Sequence, residues 1–313
     1  MAIKAKTLVL ILACSFAFVA CGGSTPPPKK AKKKKVVKPK PKPKPLPKTH
    51  EVRLFRPVKV GFEYDIAVSG KRVTKMMSRG KVVKARSGTW EWSYSATVTV
   101  KAVSERGKPT MEEHEVSSFI LTKNGKQTRI KDDPIVIATV KKGKKSFKIN
   151  GKRAKREIAD VLNAIVNLDK GSPPADELYG SSVQRKVGDT WPVNKAGVLA
   201  AFGKQFNSKT MPVKEENISG VVSLAGAEKR DGVDRLHLLV GVQIAKVAPP
   251  LGRMKPTAGE MTFSVDTWIA QDTGLADFGN ETKKLKMHVE AKGFMLDYAQ
   301  EQTAKYTYPK KDK

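Results

Sequence analysis

The longest regular pattern in the chain is Thr89-Trp90-Glu91-Trp92-Ser93-Tyr94-Ser95-Ala96-Thr97-Val98-Thr99-Val100-Lys101-Ala102-Val103. Aromatic or aliphatic residues occupy the even positions, and Thr, Glu, Ser or Lys occupies the odd ones up to Lys101. Because successive side chains of a strand point to opposite faces, this period of two predicts a long antiparallel strand with one buried face and one wet face. We expect the sheet to be built around this strand.

Shorter alternating segments lie on both sides of it and are separated by turn sequences. Phe62 to Val68 alternates ahead of Ser69-Gly70, and Ile120-Leu121 runs into Asn124-Gly125, which is a strong hairpin signal. Further along the chain, Asp231-Gly232 and Asp272-Thr273-Gly274 each separate two more alternating segments. The sequence therefore predicts an antiparallel meander.

Two segments have helical rather than strand periodicity. Arg153–Leu168 places apolar residues at helical spacing, and Asn194 is a suitable N-cap for a helix that turns Val198, Leu199, Phe202 and Phe206 inward. The intervening Gly171–Pro192 is expected to be a long loop. The predicted fold class is α+β, with a mainly antiparallel curved sheet, half-barrel or open barrel-like, and about two helices.

The first residues have the composition of a secretory leader. Lys4 and Lys6 precede the apolar run Thr7–Ala20, which suits the apolar core of a signal peptide. Phe18-Val19-Ala20-Cys21 resembles the lipobox of bacterial lipoproteins, although Phe18 stands where that family usually has Leu, Val or Ile. The resemblance implies cleavage before Cys21 and fatty acylation of Cys21, as with palmitate.

Two alternatives to lipid-linked cleavage at Cys21 remain open, namely cleavage without lipid, for instance after Ala17, and an uncleaved anchor. A rival site at Ile11-Leu12-Ala13-Cys14 is disfavoured, because cleavage there would leave the apolar segment Ser15–Ala20 exposed at the mature terminus and shorten the apolar core. Because Gly22 rather than Asp follows Cys21, analogy with the sorting rule of Gram-negative lipoproteins favours an outer-membrane lipoprotein. We expect it to face the periplasm, with surface exposure as the other option.

A lysine–proline segment follows the leader. It alternates from Lys38 to Pro45, and proline fixes its own backbone angle while the like charges repel one another, so a semi-rigid extended spacer is expected. The predicted organisation is a signal peptide at 1–20, a lipidated cysteine and spacer at 21–49, and a β-rich domain at 50–313. A division of that domain into two subdomains near 170–190 is a second option.

The number of cysteines and the net charge exclude some kinds of site and favour some classes of partner. Cys14 and Cys21 are the only cysteines, so the domain at 50–313 has neither a disulfide nor a thiolate metal site. The formal net charge is +30, which favours acidic partners, and the secreted location argues against nucleic acid. One set of basic residues is a candidate surface for lipopolysaccharide, peptidoglycan or another polyanion: Lys141, Lys142, Lys144, Lys145, Lys148, Lys152, Arg153 and Arg156. A solvated face is the alternative.

Catalytic signatures are missing from the sequence. The four histidines, His50, His114, His237 and His288, are isolated, and adjacent acidic pairs such as Glu112-Glu113 place their members on opposite faces of an extended chain. His237, between Leu236 and Leu238, is expected to point away from the buried face. We expect no metal, no cofactor and no catalytic residue.

One short string in the domain has a family resemblance. Val187-Gly188-Asp189-Thr190-Trp191 resembles a turn-to-strand element of uncharacterised bacterial envelope lipoproteins, in which an Asp-Thr-Gly-Leu hairpin, here Asp272–Leu275, often follows. These motifs cover little of the chain and imply no activity. Trp191 is expected to be a core anchor.

These observations lead to an expected function. The chain is interpreted as a membrane-anchored envelope lipoprotein whose noncatalytic domain binds an envelope protein or cell-wall polymer. The alternative is a carrier of lipid or another apolar ligand, in which Trp90, Trp92 and Tyr94 would face the ligand. An enzyme is the third option.

Overall fold

The structure, a computed structural model, describes residues 49–84, 87–130, 134–206, 213–247, 258–273, 276–291 and 294–307. Within these ranges the strands are β1 (His50–Val52), β2 (Glu63–Ser78), β3 (Lys81–Val82), β4 (Gly88–Val103), β5 (Pro109–Lys123), β6 (Lys126–Ile130), β7 (Ile135–Lys141), β8 (Lys144–Ile149), β9 (Lys152–Arg153), β10 (Ser181–Arg185), β11 (Thr190–Pro192), β12 (Ile218–Arg230), β13 (Val233–Ala245), β14 (Ala258–Ala270), β15 (Ala276–Ala291) and β16 (Phe294–Thr307). The helices are α1 (Arg156–Ile165), α2 (Ala175–Tyr179) and α3 (Lys195–Phe206). Since 62% of the structure is strand and 13% is helix, the fold is mainly β rather than an even α+β mixture.

Fourteen of the described strands form one open, curved antiparallel sheet, and β1 pairs separately with β10. The order across the large sheet is β11-β12-β13-β14-β15-β16-β2-β4-β5-β7-β8-β9, with β3 beside β2 and β6 beside β5. Two meanders, from the two halves of the chain, therefore meet where β16 pairs with β2. The predicted antiparallel curved sheet is confirmed.

Turn residues with left-handed backbone angles make the predicted hairpins. Asn124 and Gly125 have φ angles of 49° and 81° between β5 and β6, and Asp231 and Gly232 have 53° and 78° between β12 and β13. Two consecutive residues with positive φ match the twist of the flanking strands, which is why Asn-Gly and Asp-Gly suit these positions.

Burial along β4 follows the predicted period of two. Trp92, Tyr94, Ala96, Val98 and Val100 are at most 4% exposed, whereas the residues between them are partly or fully exposed. We call the face of the sheet that carries these buried residues the core face, and the opposite face the outer face.

β2 runs through Ser69-Gly70 and ends only at Ser78. Gly70 lies directly opposite Trp92 of β4, and a β-carbon on Gly70 would be 2.4 Å from the indole ring. The glycine therefore provides room for the ring rather than a turn.

Two hydrophobic clusters lie on the core face. The first joins inward residues of β2, β4, β5, β7 and β8 to Val161, Leu162 and Ile165 of α1. The second joins inward residues of β12, β13 and β14 to Trp191 and Val198. The clusters draw mainly on the chain before and after residue 170, yet both lie on one continuous sheet; the division into two subdomains stays a prediction.

The helices differ in part from the prediction. α1 is shorter than Arg153–Leu168, while α3 begins directly after Asn194, whose Oδ1 accepts a hydrogen bond from the Gly197 N–H at 3.1 Å and confirms the predicted cap. The expected long loop at Gly171–Pro192 is wrong, because this segment contains α2, β10 and β11. α2 has only five residues, too few for a helical period to show in sequence.

Trp191 anchors this segment to the rest of the domain. Its side chain is 5% exposed, and its Nε1–H donates to the carbonyl of Tyr179 at 2.9 Å. The predicted core-anchor role is confirmed.

Candidate functional site

The three aromatic residues considered as ligand contacts all lie on the core face. Trp92 and Tyr94 are 4% and 1% exposed and pack within the first hydrophobic cluster, whereas Trp90 is half-buried near the beginning of β4. Their side chains fill the core, so in this conformation only Trp90 is accessible to a ligand.

Two cations flank Trp90 on the neighbouring strands. By register, Arg72 of β2 and Lys123 of β5 lie directly opposite it, with Arg72 Cζ 5.8 Å and Lys123 Nζ 4.9 Å from the ring centroid. Lys123 also pairs with Glu157 of α1 at 2.5 Å. This arrangement was not predicted, because the three residues come from separate strands.

A polar network lies inside the first hydrophobic cluster. The Tyr94 hydroxyl is 2.9 Å from His114 Nδ1, His114 Nε2 is 3.3 Å from Glu112 Oε2, and the Tyr64 hydroxyl donates to Glu112 Oε1 at 3.0 Å. Glu112 and His114 are each 1% exposed. The alternation of β5 is the signal that places both residues on the core face, and it was overlooked because charged residues are usually exposed.

This network holds side chains in place, and Tyr94, Glu112 and His114 are each only 1% exposed to solvent. Burial, and then the charge of Glu112, raises the pKa of the Tyr94 phenol well above its usual range, so the phenol stays protonated. Glu113, the neighbour of Glu112, turns to the outer face and pairs with Lys101 at 2.9 Å. The prediction that this acidic pair splits across the sheet is confirmed.

Lys145 is separated from the other basic candidates. Its side chain turns to the core face, and its ammonium group donates to the carbonyls of Asn163 and Val166 at the end of α1. Burial is the largest cause that lowers the Lys145 pKa to about 8, followed by the positive charge of Lys170. Lys145 therefore hydrogen-bonds to carbonyl groups at the C-terminal end of α1 and is not part of an external cationic surface.

The remaining basic candidates are exposed at one edge of the sheet. Lys141, Lys144, Lys148 and Arg153 all project from the outer face, because Val136, Ala138 and Phe147 in the alternate positions are buried. We call these four residues the outer basic edge. The other exposed members of the predicted set are Lys142, Lys152 and Arg156.

Register places the cations of the outer basic edge in like-charged pairs. Lys141 lies directly opposite Lys144, and Lys148 lies directly opposite Arg153. Among the described residues, none of the four forms an ion pair. Like charges directly opposite each other destabilise a sheet, so each of these cation pairs costs some stability in the folded domain.

A second polar group lies on the outer face of β13 and β14. His237 Nε2 is 2.7 Å from Asp266 Oδ1, and the imidazole stacks on Trp268 with ring centroids 4.6 Å apart. Leu236 and Leu238 on either side of His237 are buried, which confirms that His237 points away from the core. The hydrogen bond to Asp266 and the stacked ring of Trp268 give this histidine a polar and an aromatic partner.

Some expectations fall on residues that the structure leaves undescribed. Cys21, the leader and the lysine–proline spacer to residue 48 lie outside the described ranges. Within those ranges no helix has the length and apolar character needed to cross a membrane. In the same part of the chain, no group of three or more His, Cys, Asp or Glu side chains is arranged to hold a metal ion.

No protein-family model and no curated protein matches this chain. A solved structure described as lipid–protein interactions in lipovitellin aligns with 80% of this chain and 25% of that chain, at 7% sequence identity and a TM-score of 0.35. At that TM-score the similarity supports no conclusion about function.

Proposed function

We propose that this chain is a lipid-anchored protein of the cell envelope whose β domain binds an acidic envelope polymer without catalysis. The observation that carries this proposal is the outer basic edge, where like-charged residues face one another across strands with no ion-pair partner among the described residues. Lipopolysaccharide and acidic regions of the cell wall or of an envelope protein are the partner classes with suitable charge.

The packing around Trp92 and Tyr94 supports a binding domain rather than a lipid carrier. The residues beneath Trp92 and Tyr94 pack against one another, which leaves these aromatic rings buried. The carrier alternative, in which a half-barrel encloses a lipid, requires apolar space beside Trp90 and Trp92. The burial of Trp92 and Tyr94 supports the binding proposal over a carrier in which these two rings face the ligand.

The binding proposal is tested with the full chain extracted in detergent. Lys141, Lys144, Lys148 and Arg153 are changed to Gln, and a matched control changes four exposed lysines elsewhere, Lys59, Lys75, Lys286 and Lys305, to Gln. Both proteins lose the same charge and keep the spacer. Sedimentation with lipopolysaccharide and with isolated cell-wall sacculi should show at least about a tenfold loss of affinity for the first variant, given about 1 kcal/mol per well-placed charge. Equal losses of affinity in both variants would mean that the outer basic edge contributes only through nonspecific charge.

The anchor is tested separately by intact-mass analysis of protein from native membranes. We expect a mature chain that begins at Cys21 and carries added acyl mass, because a lipobox-like leader directs both reactions. A Cys21→Ser variant should lack that mass. An unmodified chain that begins elsewhere would remove the tether from the proposal while leaving the binding test unaffected.

A further inference from the structure

The outer basic edge has a regular order along β7, β8 and β9. A cation pair, Lys141 and Lys144, is followed by a hydroxyl pair, Thr139 and Ser146, whose oxygens are 2.7 Å apart. Lys148 then forms the second cation pair with Arg153 of β9. Along β8 the outer face thus presents charge, hydroxyl and charge in succession, and Lys148 lies between Arg153 of β9 and the apolar Ile137 of β7.

Strand geometry sets the spacing of these groups. Directly opposite residues in an antiparallel pair have Cα atoms about 5 Å apart, so the two side chains of each cation pair can reach the same ligand group. Lys144 and Lys148 are four residues apart in β8, which separates the two cation pairs by about 13 Å at 3.3 Å per residue. The hydroxyl pair lies midway between them.

A phosphate suits each cation pair better than a carboxylate does. A phosphate monoester carries up to about two negative charges and three acceptor oxygens, which matches two cations that approach from neighbouring strands. Arg153 adds a planar fork of donors that fits phosphate oxygens. A carboxylate has one charge and leaves half of each pair unneutralised.

The groups between the cation pairs indicate what connects the phosphates. The hydroxyls of Thr139 and Ser146 both donate and accept hydrogen bonds, as the hydroxyls of a sugar do. On the neighbouring β5, Glu113 is already paired with Lys101, and the exposed Glu115 lies opposite Ile135, at the other end of β7 from Lys141. The space between the cation pairs is therefore polar and uncharged.

On the basis of the proposed function, we propose that the outer basic edge binds a saccharide that carries a phosphate group at each end. One phosphate lies on Lys141 and Lys144, the other lies on Lys148 and Arg153, and the sugar hydroxyls between them contact Thr139 and Ser146. The ligand is recognised by the distance between its phosphates as well as by its charge.

The test compares soluble probes that differ only in phosphate number. Titration calorimetry on the detergent-extracted full chain uses a glucosamine disaccharide with a phosphate on both sugars, the same disaccharide with one phosphate, and the unphosphorylated disaccharide. We expect the doubly phosphorylated probe to bind at least about tenfold more tightly than the singly phosphorylated one, because two linked contacts reinforce each other. Equal affinity for the two phosphorylated probes would overturn the proposal.

Paired variants locate each phosphate. Lys141→Gln with Lys144→Gln, and separately Lys148→Gln with Arg153→Gln, should each lower the affinity for the doubly phosphorylated probe to that of the singly phosphorylated one. Lys75→Gln with Lys305→Gln removes the same charge from the outer face elsewhere and should leave the preference unchanged. If this control loses the preference equally, the spacer or overall charge is responsible and the site is excluded.

A third variant tests the sugar contact. Thr139→Val with Ser146→Ala should weaken binding of the doubly phosphorylated disaccharide but not of a short inorganic polyphosphate. Equal weakening of both probes, or tighter binding of polyphosphate by the unaltered chain, would contradict a saccharide ligand. Lipopolysaccharide or sacculi could bind through the outer basic edge although the chain shows no preference for two phosphates. That result would refute this inference alone and would still support the proposed function.

Discussion

The indole ring of Trp92 lies across Gly70 on the neighbouring strand, so closely that a β-carbon on Gly70 would come within 2.4 Å of it. The carbonyl of Thr303 on β16 would be 2.8 Å from the same β-carbon. Gly70 thus brings together β2, β4 and β16 at the position where the two meanders join.

Replacement of Gly70 by Ala should destabilise the domain by about 1–3 kcal/mol, the usual cost of overpacking a core. Chemical denaturation followed by tryptophan fluorescence measures the change. Gly241→Ala on β13 is the control, because a β-carbon there meets no atom within 4 Å and should be neutral or stabilising. If Gly70→Ala is as stable as Gly241→Ala, the indole ring of Trp92 does not lie across Gly70.

The hydrogen bond between Tyr94 and His114 supports a second prediction. Tyr94→Phe leaves a buried imidazole nitrogen without its partner and should cost about 1–3 kcal/mol of unfolding free energy. Combined with His114→Leu, the two losses should be non-additive by at least about 0.5 kcal/mol, as contacting residues usually are. Strict additivity in urea denaturation would mean that the two side chains do not interact.

The buried ammonium group of Lys145 predicts an unusual pH dependence. Its pKa is lowered to about 8, whereas the unfolded chain keeps the ordinary value of about 10.5, so the unfolded state binds more protons between these limits. Lys145 therefore adds stability as the pH rises through 8 towards 10.5, and this contribution is lost as the pH falls back through 8. Its upper limit is about 3 kcal/mol.

Urea denaturation at several pH values compares the unaltered chain with Lys145→Met. The stability of the unaltered chain relative to this variant should increase from pH 8 to pH 10. Lys148→Met, which removes an exposed lysine from the same strand, should show no comparable trend. Parallel pH profiles for all three proteins would contradict the burial of Lys145.

Binding through the outer basic edge should depend strongly on salt. Exposed charges are screened over about 8 Å at physiological ionic strength, so affinity for lipopolysaccharide should fall steadily as salt is raised from low to physiological levels. Removal of all four cations of the edge should flatten that dependence, whereas the control with four distant lysines replaced should keep it. An unchanged slope in the edge variant would assign the salt dependence to the spacer.

The sheet was largely predictable because its signals are local. Burial in β4 alternates from Glu91 to Lys101, and the Asn124-Gly125 and Asp231-Gly232 turns have backbone angles that few other residue pairs adopt readily. Ser69-Gly70 is different, because Gly70 is needed to make room for the ring of Trp92, which is 22 residues away in sequence. No local pattern distinguishes such a glycine from one in a turn.

The candidate sites were less predictable because they depend on register. The basic residues of β7–β9 were identified as a group, yet only the pairing of strands shows that Lys145 turns inward while Lys144 and Lys148 turn outward. Glu112 and His114 were missed for the same reason, since their partners Tyr64 and Tyr94 come from other strands.

The pairing of β16 with β2 affects how the domain folds. β2 begins at Glu63, whereas its neighbour β16 ends at Thr307, so the strands that join the two meanders come from opposite ends of the domain. Until β16 has paired, the first meander has an unpaired edge at β2 that can hydrogen-bond with the wrong strand. The sheet becomes continuous only when the fourteen residues of β16 pair with β2, so the junction of the two meanders depends on contacts between the two ends of the domain.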